Sequence, residues 1–180
     1  MSQEENPKRA QSATVKRYGP YDHLKVMNYL PHRQPFLFVD RILEMTVPYG
    51  PDGKIQQVGT KVVGLKNATI NEPYFTGHFP TMPITPGVIM IETMAQISSF
   101  AIMPWMNVDD KMRIISKFDL RLAGVDNTRF RRPFCPGDSL IITVEAVKQR
   151  GPIWGFKCKG EVEGQLVVES DILASAVFEN

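Results

Sequence analysis

The sequence predicts an α+β domain, and three observations predict it. One segment, from about Thr85 to Phe100 or Met103, is apolar almost all the way round a helix. Four later segments alternate or are rich in β-branched residues, with compact turn signals between them. The chain has 180 residues, enough for one well-buried domain and short for two. A helix apolar on most sides, in a domain of this size, points to a helix wrapped by an antiparallel sheet.

Each element follows in order. Residues 1–20 are polar and carry Pro7, Gly19 and Pro20, so they read as a flexible arm; residues 21–180 form the single domain. The chain becomes structured from Val26. Residues 30–45 run from Pro31 and Pro35 into an expected strand beginning at Phe36, whose core is Phe36-Leu37-Phe38-Val39. Pro48, Gly50, Pro51, Asp52 and Gly53 crowd into a turn, and a second strand is expected over 56–66. The helix starts at Thr85-Pro86-Gly87: Thr85 is the expected cap, Pro86 suits the first helical position, and Pro104 marks the end. Strands are then expected over 114–122, 140–149, 153–162 and 165–178. Pro136-Gly137-Asp138, Gly151-Pro152 and Glu163-Gly164 supply the turns.

Composition excludes several classes. A hydrophobic share of 43%, a charged share of 22% and a net charge of +2 describe a globular chain without a basic tract for nucleic acid. The opening MSQEENPKRAQS has no apolar core, so no secretory signal is read and a cytoplasmic location is expected. The longest apolar run, 88–106, is broken by Glu92, Gln96 and Ser98-Ser99, which argues against membrane insertion. Cys135 and Cys158 form no C-x-x-C pair and read as free thiols, so neither a metal nor an organic cofactor is implied.

The chemistry concentrates in residues 71–96, NEPYFTGHFPTMPITPGVIMIETMAQ. His78 lies in a loop stiffened by Gly77, Pro80, Pro83 and Pro86. Glu92 lies inside the apolar helix, and Glu92, Gln96 and Ser99 fall at i, i+4 and i+7 on one narrow polar stripe. A carboxylate on a buried helix is costly unless paired or protonated, and burial favours the protonated acid. Taken singly, such residues have structural readings: a hydrogen-bonded core Glu, an exposed loop His. Together they make a candidate acid–base pair.

Further blocks then become recognisable. Leu30-Pro31-His32-Arg33 with Pro35-Phe36-Leu37 and Val39-Asp40-Arg41, Asn71-Glu72-Pro73, Gly77-His78-Phe79-Pro80, Pro86-Gly87-Val88 and Met94-Ala95-Gln96 stand in order. A later block runs from Ala123-Gly124-Val125-Asp126 through Arg129-Phe130-Arg131-Arg132-Pro133 to Pro136-Gly137-Asp138. From Val26 to the C-terminus the chain resembles the β-hydroxyacyl-ACP dehydratases of type II fatty acid synthesis, including the 14-residue spacing from His78 to Glu92. The arm and the turn at 48–53 look longer than the family's minimum, and residues 103–117 carry no family signature.

The resemblance implies a hot-dog fold working as a homodimer or a trimer of dimers, with His78 and Glu92 of one site drawn from different subunits. It implies dehydration of a (3R)-hydroxyacyl thioester, on acyl carrier protein or coenzyme A, to a trans-2-enoyl thioester. His78 would be the base at C2 and Glu92 the acid at the C3 hydroxyl. Gly87 and Val88 are expected to bind the thioester oxygen, and Gln96 either orients Glu92 or serves as a helix–sheet hydrogen bond. His32 reads as structural. Arg129, Arg131 and Arg132 are read either as contacts for an acidic carrier protein or as solvated surface charge. The competing functions are a hot-dog acyl thioesterase, a dehydratase of a specialised lipid or polyketide pathway, and a thioester-binding module.

Overall fold

Helix α2 (Gly87–Phe100) is the axis of the structure, and nearly everything else is arranged around it. The computed structural model describes residues 15–178. Among these, seven strands form one antiparallel sheet: β1 (Val15–Tyr18), β2 (Arg41–Pro48), β3 (Lys61–Asn67), β4 (Phe118–Phe130), β5 (Ser139–Arg150), β6 (Ile153–Val162) and β7 (Gln165–Phe178). Their spatial order is β1-β2-β3-β5-β6-β7-β4, which leaves β4 at one edge. This is the predicted α+β architecture, a sheet wrapped around one long helix.

Strand periodicity explains the core. Val62, Gly64 and Lys66 of β3, Leu140, Ile142 and Val144 of β5, and Trp154, Phe156 and Cys158 of β6 alternate with more exposed residues and point inward. Met94, Ile97 and Phe100 of α2 are fully buried against them. Each such side chain contributes about 1.5–3 kcal/mol on burial. Gly64 permits the closest approach: a Cβ there would lie 2.5 Å from Cδ1 of Ile97. The segment Gly87–Trp105 is long and apolar enough to cross a membrane, but 61% of its most apolar window is buried inside this domain. Its apolarity is that of a core helix.

Several boundaries differ from expectation for identifiable reasons. Phe36–Val39 is not a strand; the sheet is joined only at Arg41. The side chain of Gln96 takes over there, accepting from the Phe38 N–H (3.0 Å) and donating to the Phe36 carbonyl (2.7 Å). Two main-chain groups that would have paired with a strand are thus held by a helix side chain. Residues 56–60 form turns, and β3 begins at Lys61. β4 starts later than expected and runs on to Phe130, past the turn-like Gly124, Asp126 and Asn127. Register shifts at Leu122/Gly124 and Asp126/Arg129 absorb those residues.

The helix start also needs correction. Thr85 does not cap it; its side chain is buried and its N–H donates to the Phe134 carbonyl at 2.8 Å. Pro86 occupies the cap position, with no side-chain cap bond. Beyond Phe100 the chain tightens into a 3-10 turn, Met103–Trp105.

Two elements were not anticipated. Val15–Tyr18, the end of the expected arm, pairs with β2; residues 1–14 lie outside the described residues. A short helix, α1 (His23–Tyr29), is capped by Asp22, whose carboxylate accepts from the Lys25 N–H at 3.0 Å. α1 brings Tyr29 onto α2: its ring meets Phe100 at 4.4 Å, and its hydroxyl donates to the Ser99 carbonyl at 2.7 Å.

Candidate active site

The His78 loop is held almost entirely by main chain. A 3-10 turn at Pro73–Thr76 anchors its start with Phe75 buried, and Glu72 just before it pairs with Lys66 of β3. The Tyr74 carbonyl accepts from the N–H groups of Gly77 (3.2 Å) and His78 (2.9 Å). The His78 carbonyl accepts from the Ile84 N–H at 3.0 Å, which closes the loop.

The imidazole is fixed by the same residue. Its Nδ1 lies 2.7 Å from the Ile84 carbonyl, which can only accept. In the neutral ring the hydrogen therefore sits on Nδ1, and the lone pair is on Nε2. The loop geometry selects the tautomer that a general base at Nε2 requires. The ring stacks on Phe79 at 4.2 Å.

Glu92 is held differently. Its Oε1 accepts from Gln96 Nε2 at 2.9 Å and lies 3.5 Å from Nε2 of His32. A quarter of its side chain is exposed, so the carboxyl group is partly open rather than sealed in the core. It faces a chamber of about 480 Å³ whose polar lining includes His32, Glu92, Gln96, Ser99 and Asp119, and whose apolar lining includes Leu30, Ile114, Phe118 and Leu122. The stripe read from the sequence is real: Gln96 bonds Glu92, and the Ser99 hydroxyl donates to the Gln96 carbonyl at 2.7 Å. Gln96 bonds both Glu92 and the 36–38 segment, which is irregular chain rather than the sheet partner expected.

His78 does not line this chamber. Within one chain the structure presents an imidazole held on a loop and a carboxyl group set in a chamber wall.

The remaining candidates sit as follows. Gly87 lies under the Phe130 ring: a Cβ there would stand 2.6 Å from it, so the half-exposed ring would have to shift. Val88 is 70% exposed. In the first turn of α2 their N–H groups have no partner within the helix. Arg129, Arg131 and Arg132 are exposed: Arg131 pairs with Glu169, Arg132 donates to the Gln165 side chain, and Arg129 donates to the Thr128 carbonyl at 2.8 Å. Burial pushes the Cys158 thiol up to about 12 and raises that of Cys135, so neither is a thiolate nucleophile at neutral pH. Among the described residues, no group of three or more His, Cys, Asp or Glu side chains could hold a metal ion.

Sequence reasoning missed the contact of His32 with Glu92. The signal available was its place in a block framed by Pro31 and Pro35, but no periodicity links residues 60 apart in sequence.

A sheet curled around a central helix, with a carboxylate from that helix facing a chamber, defines a hot-dog protein. Solved structures agree on the fold. A thioesterase superfamily member from Thermus thermophilus aligns with a TM-score of 0.54 at 17% identity, over 67% of this chain and 83% of that one. A hot-dog-like protein from Thermanaerovibrio acidaminovorans aligns with a TM-score of 0.53 at 17% identity, again over 67% and 83%.

Sequence comparison is more specific. The FabA-like domain family matches residues 30–171. The 3-hydroxyacyl-(acyl-carrier-protein) dehydratase FabZ of Syntrophobacter fumaroxidans is 44% identical over 157 residues, 86% of this chain and 92% of that protein. The FabZ of Sinorhizobium fredii is 41% identical over 166 residues, 92% of this chain and 95% of that protein. The chain belongs to the FabA-like family of hot-dog dehydratases, within which it groups with FabZ proteins, and it is a dehydratase.

Proposed function

We propose that this chain dehydrates (3R)-3-hydroxyacyl thioesters carried on acyl carrier protein to trans-2-enoyl thioesters, in cytoplasmic fatty acid biosynthesis. The observation that carries the reading is Glu92, held by Gln96 in the wall of a chamber whose other side is apolar. That arrangement suits a proton donor beside an acyl tail. The names of the curated relatives support the carrier protein as the thioester's origin.

In this mechanism Nε2 of His78 takes the C2 proton, whose acidity the thioester carbonyl raises. The electron pair from the C2–H bond forms the C2–C3 double bond. The C3–O bond breaks, and the leaving hydroxyl takes the proton of Glu92 and departs as water. The negative charge that develops on the thioester oxygen as the C2 proton leaves is met by the free N–H groups of Gly87 and Val88. Afterwards the imidazolium and the carboxylate exchange protons through solvent, and the site is reset.

Because His78 is not in the Glu92 chamber of its own chain, the reading includes a C2 dimer in which each site takes His78 from one subunit and Glu92 from the other. The edge strand β4 supports this. It is hydrogen-bonded on one side only and exposes Leu122, Val125 and Phe130, a combination natural proteins seldom leave uncovered. The exposed Arg129, Arg131 and Arg132 beside that edge are assigned to the acidic carrier.

The test is an assay of the purified protein with 3-hydroxyacyl thioesters of increasing chain length, on carrier protein and on coenzyme A. Enoyl absorbance should rise without release of free thiol. Free thiol without enoyl product would instead identify a thioesterase.

A further inference from the structure

His32 lines the chamber beside Glu92, and the mechanism above leaves it idle. Nε2 of His32 lies 3.5 Å from Glu92 Oε1, the same oxygen that takes the Gln96 amide. Nδ1 of His32 is buried and has no hydrogen-bond partner among the described residues. That orphaned atom restricts the ring. A proton on Nδ1 would be a buried donor without an acceptor, whether the ring were cationic or the Nδ1–H tautomer. The neutral Nε2–H tautomer leaves only an unfilled lone pair, the less costly defect. His32 therefore turns an N–H toward Glu92, the opposite tautomer to that of His78.

Resting on the dehydratase reading, we propose that His32 is a positioning residue that, with Gln96, directs two N–H donors at Oε1 of Glu92 and so assigns the transferable proton to Oε2. An oxygen receiving two N–H groups behaves as the carbonyl oxygen of the acid and cannot also carry its hydrogen. Only Oε2 then delivers a proton to the departing hydroxyl, and the carboxyl group cannot turn its wrong oxygen to the substrate. At 3.5 Å the His32 contact is longer than a formed hydrogen bond. Contacts of this kind shorten when the Michaelis complex forms.

The other charged groups nearby are accounted for. Asp119, which also lines the chamber, is paired with Arg121 at 2.8 Å. Arg33 is turned to main chain, donating to the Leu30 (2.9 Å) and His32 (2.6 Å) carbonyls. Tyr29, the remaining titratable side chain in the wall, is held neutral by burial and donates to Ser99. None of these is bonded to Glu92.

The experiment compares wild type, His32→Ala and His32→Gln in steady-state dehydration across pH, with folding checked by thermal melting. Wild-type activity is the precondition; its absence would overturn the dehydratase reading rather than this inference. In His32→Ala, kcat is expected to fall about 10-fold with KM changed less than about twofold, since the lost contact acts on proton delivery. The alkaline limb of the rate profile should move to higher pH, because an N–H donor favours the ionised carboxylate and its removal favours the acid. His32→Gln returns an N–H of similar reach, so it should recover much of kcat and move the limb back. Should His32→Ala fail to fold, His32→Leu, which keeps bulk but offers no N–H, takes its place: the same loss of kcat and shift of the limb are expected, and wild-type behaviour in it overturns the proposal. A folded His32→Ala with wild-type kcat and limb, or a His32→Gln no better than His32→Ala, would overturn the proposal.

Discussion

His78 and Glu92 are positioned by opposite means. The His78 loop is tied by carbonyls and N–H groups of Tyr74, Ile84 and His78 itself, with almost no side chain involved beyond the imidazole. Glu92 sits on the most regular element of the fold, yet its carboxyl group is aimed by two other side chains, Gln96 and His32. The lesson is that an irregular loop can be the more robust platform. Main-chain bonds survive most substitutions, whereas a side-chain clamp is lost with one residue.

The largest effects test whether both groups react. His78→Ala and Glu92→Gln should each reduce turnover at least about 100-fold, the usual scale of general acid–base catalysis, with melting temperatures near wild type. Turnover near normal in either folded variant would remove that residue from the mechanism.

The next test asks whether the two platforms meet across subunits. His78→Ala and Glu92→Ala chains, each inactive alone, are unfolded and refolded together. Random pairing makes about half the dimers mixed, each with one intact site, so about a quarter of wild-type activity should return. Mixed dimers that form and stay inactive would place both residues in one chain's site.

Smaller effects sharpen the contrast between the platforms. Gln96→Ala frees Glu92 and strands the Phe38 N–H and the Phe36 carbonyl, so it should cost about 1–3 kcal/mol in denaturant unfolding as well as rate. Thr76→Ala on the His78 loop removes only an exposed side-chain bond to the Pro73 carbonyl. It should stay within about 0.5 kcal/mol and leave kcat unchanged. If the loop substitution proved the more damaging, the contrast between main-chain and side-chain support would fail.

These two modes of support also explain what the sequence revealed. The helix, the last two strands and the Glu92–Gln96–Ser99 stripe follow from local periodicity, which sequence displays directly. So does the wrapped-helix architecture, because α2 is apolar on nearly every side. What escaped depends on distant partners. Phe36–Val39 has strand composition but is claimed by Gln96, and β4 runs through turn-like residues because β7 holds it. The approach of His32 to Glu92, and of the Phe130 ring to Gly87, joins residues no local pattern connects.

Gly64 gives the core a part in setting the height of the acid. Ile97, five residues beyond Glu92 on the same helix, rests against the bare Cα of that glycine, leaving no room for a methyl group. The sheet thus acts as a shim of fixed thickness beneath α2. Gly64→Ala would thicken it, at about 1–3 kcal/mol for the overpacked core, and would lift the helix with Glu92 attached to it. On the proposed mechanism, a residue on β3 that never meets substrate thus bears on where the Glu92 carboxyl group stands, through the packing of Ile97 on Gly64.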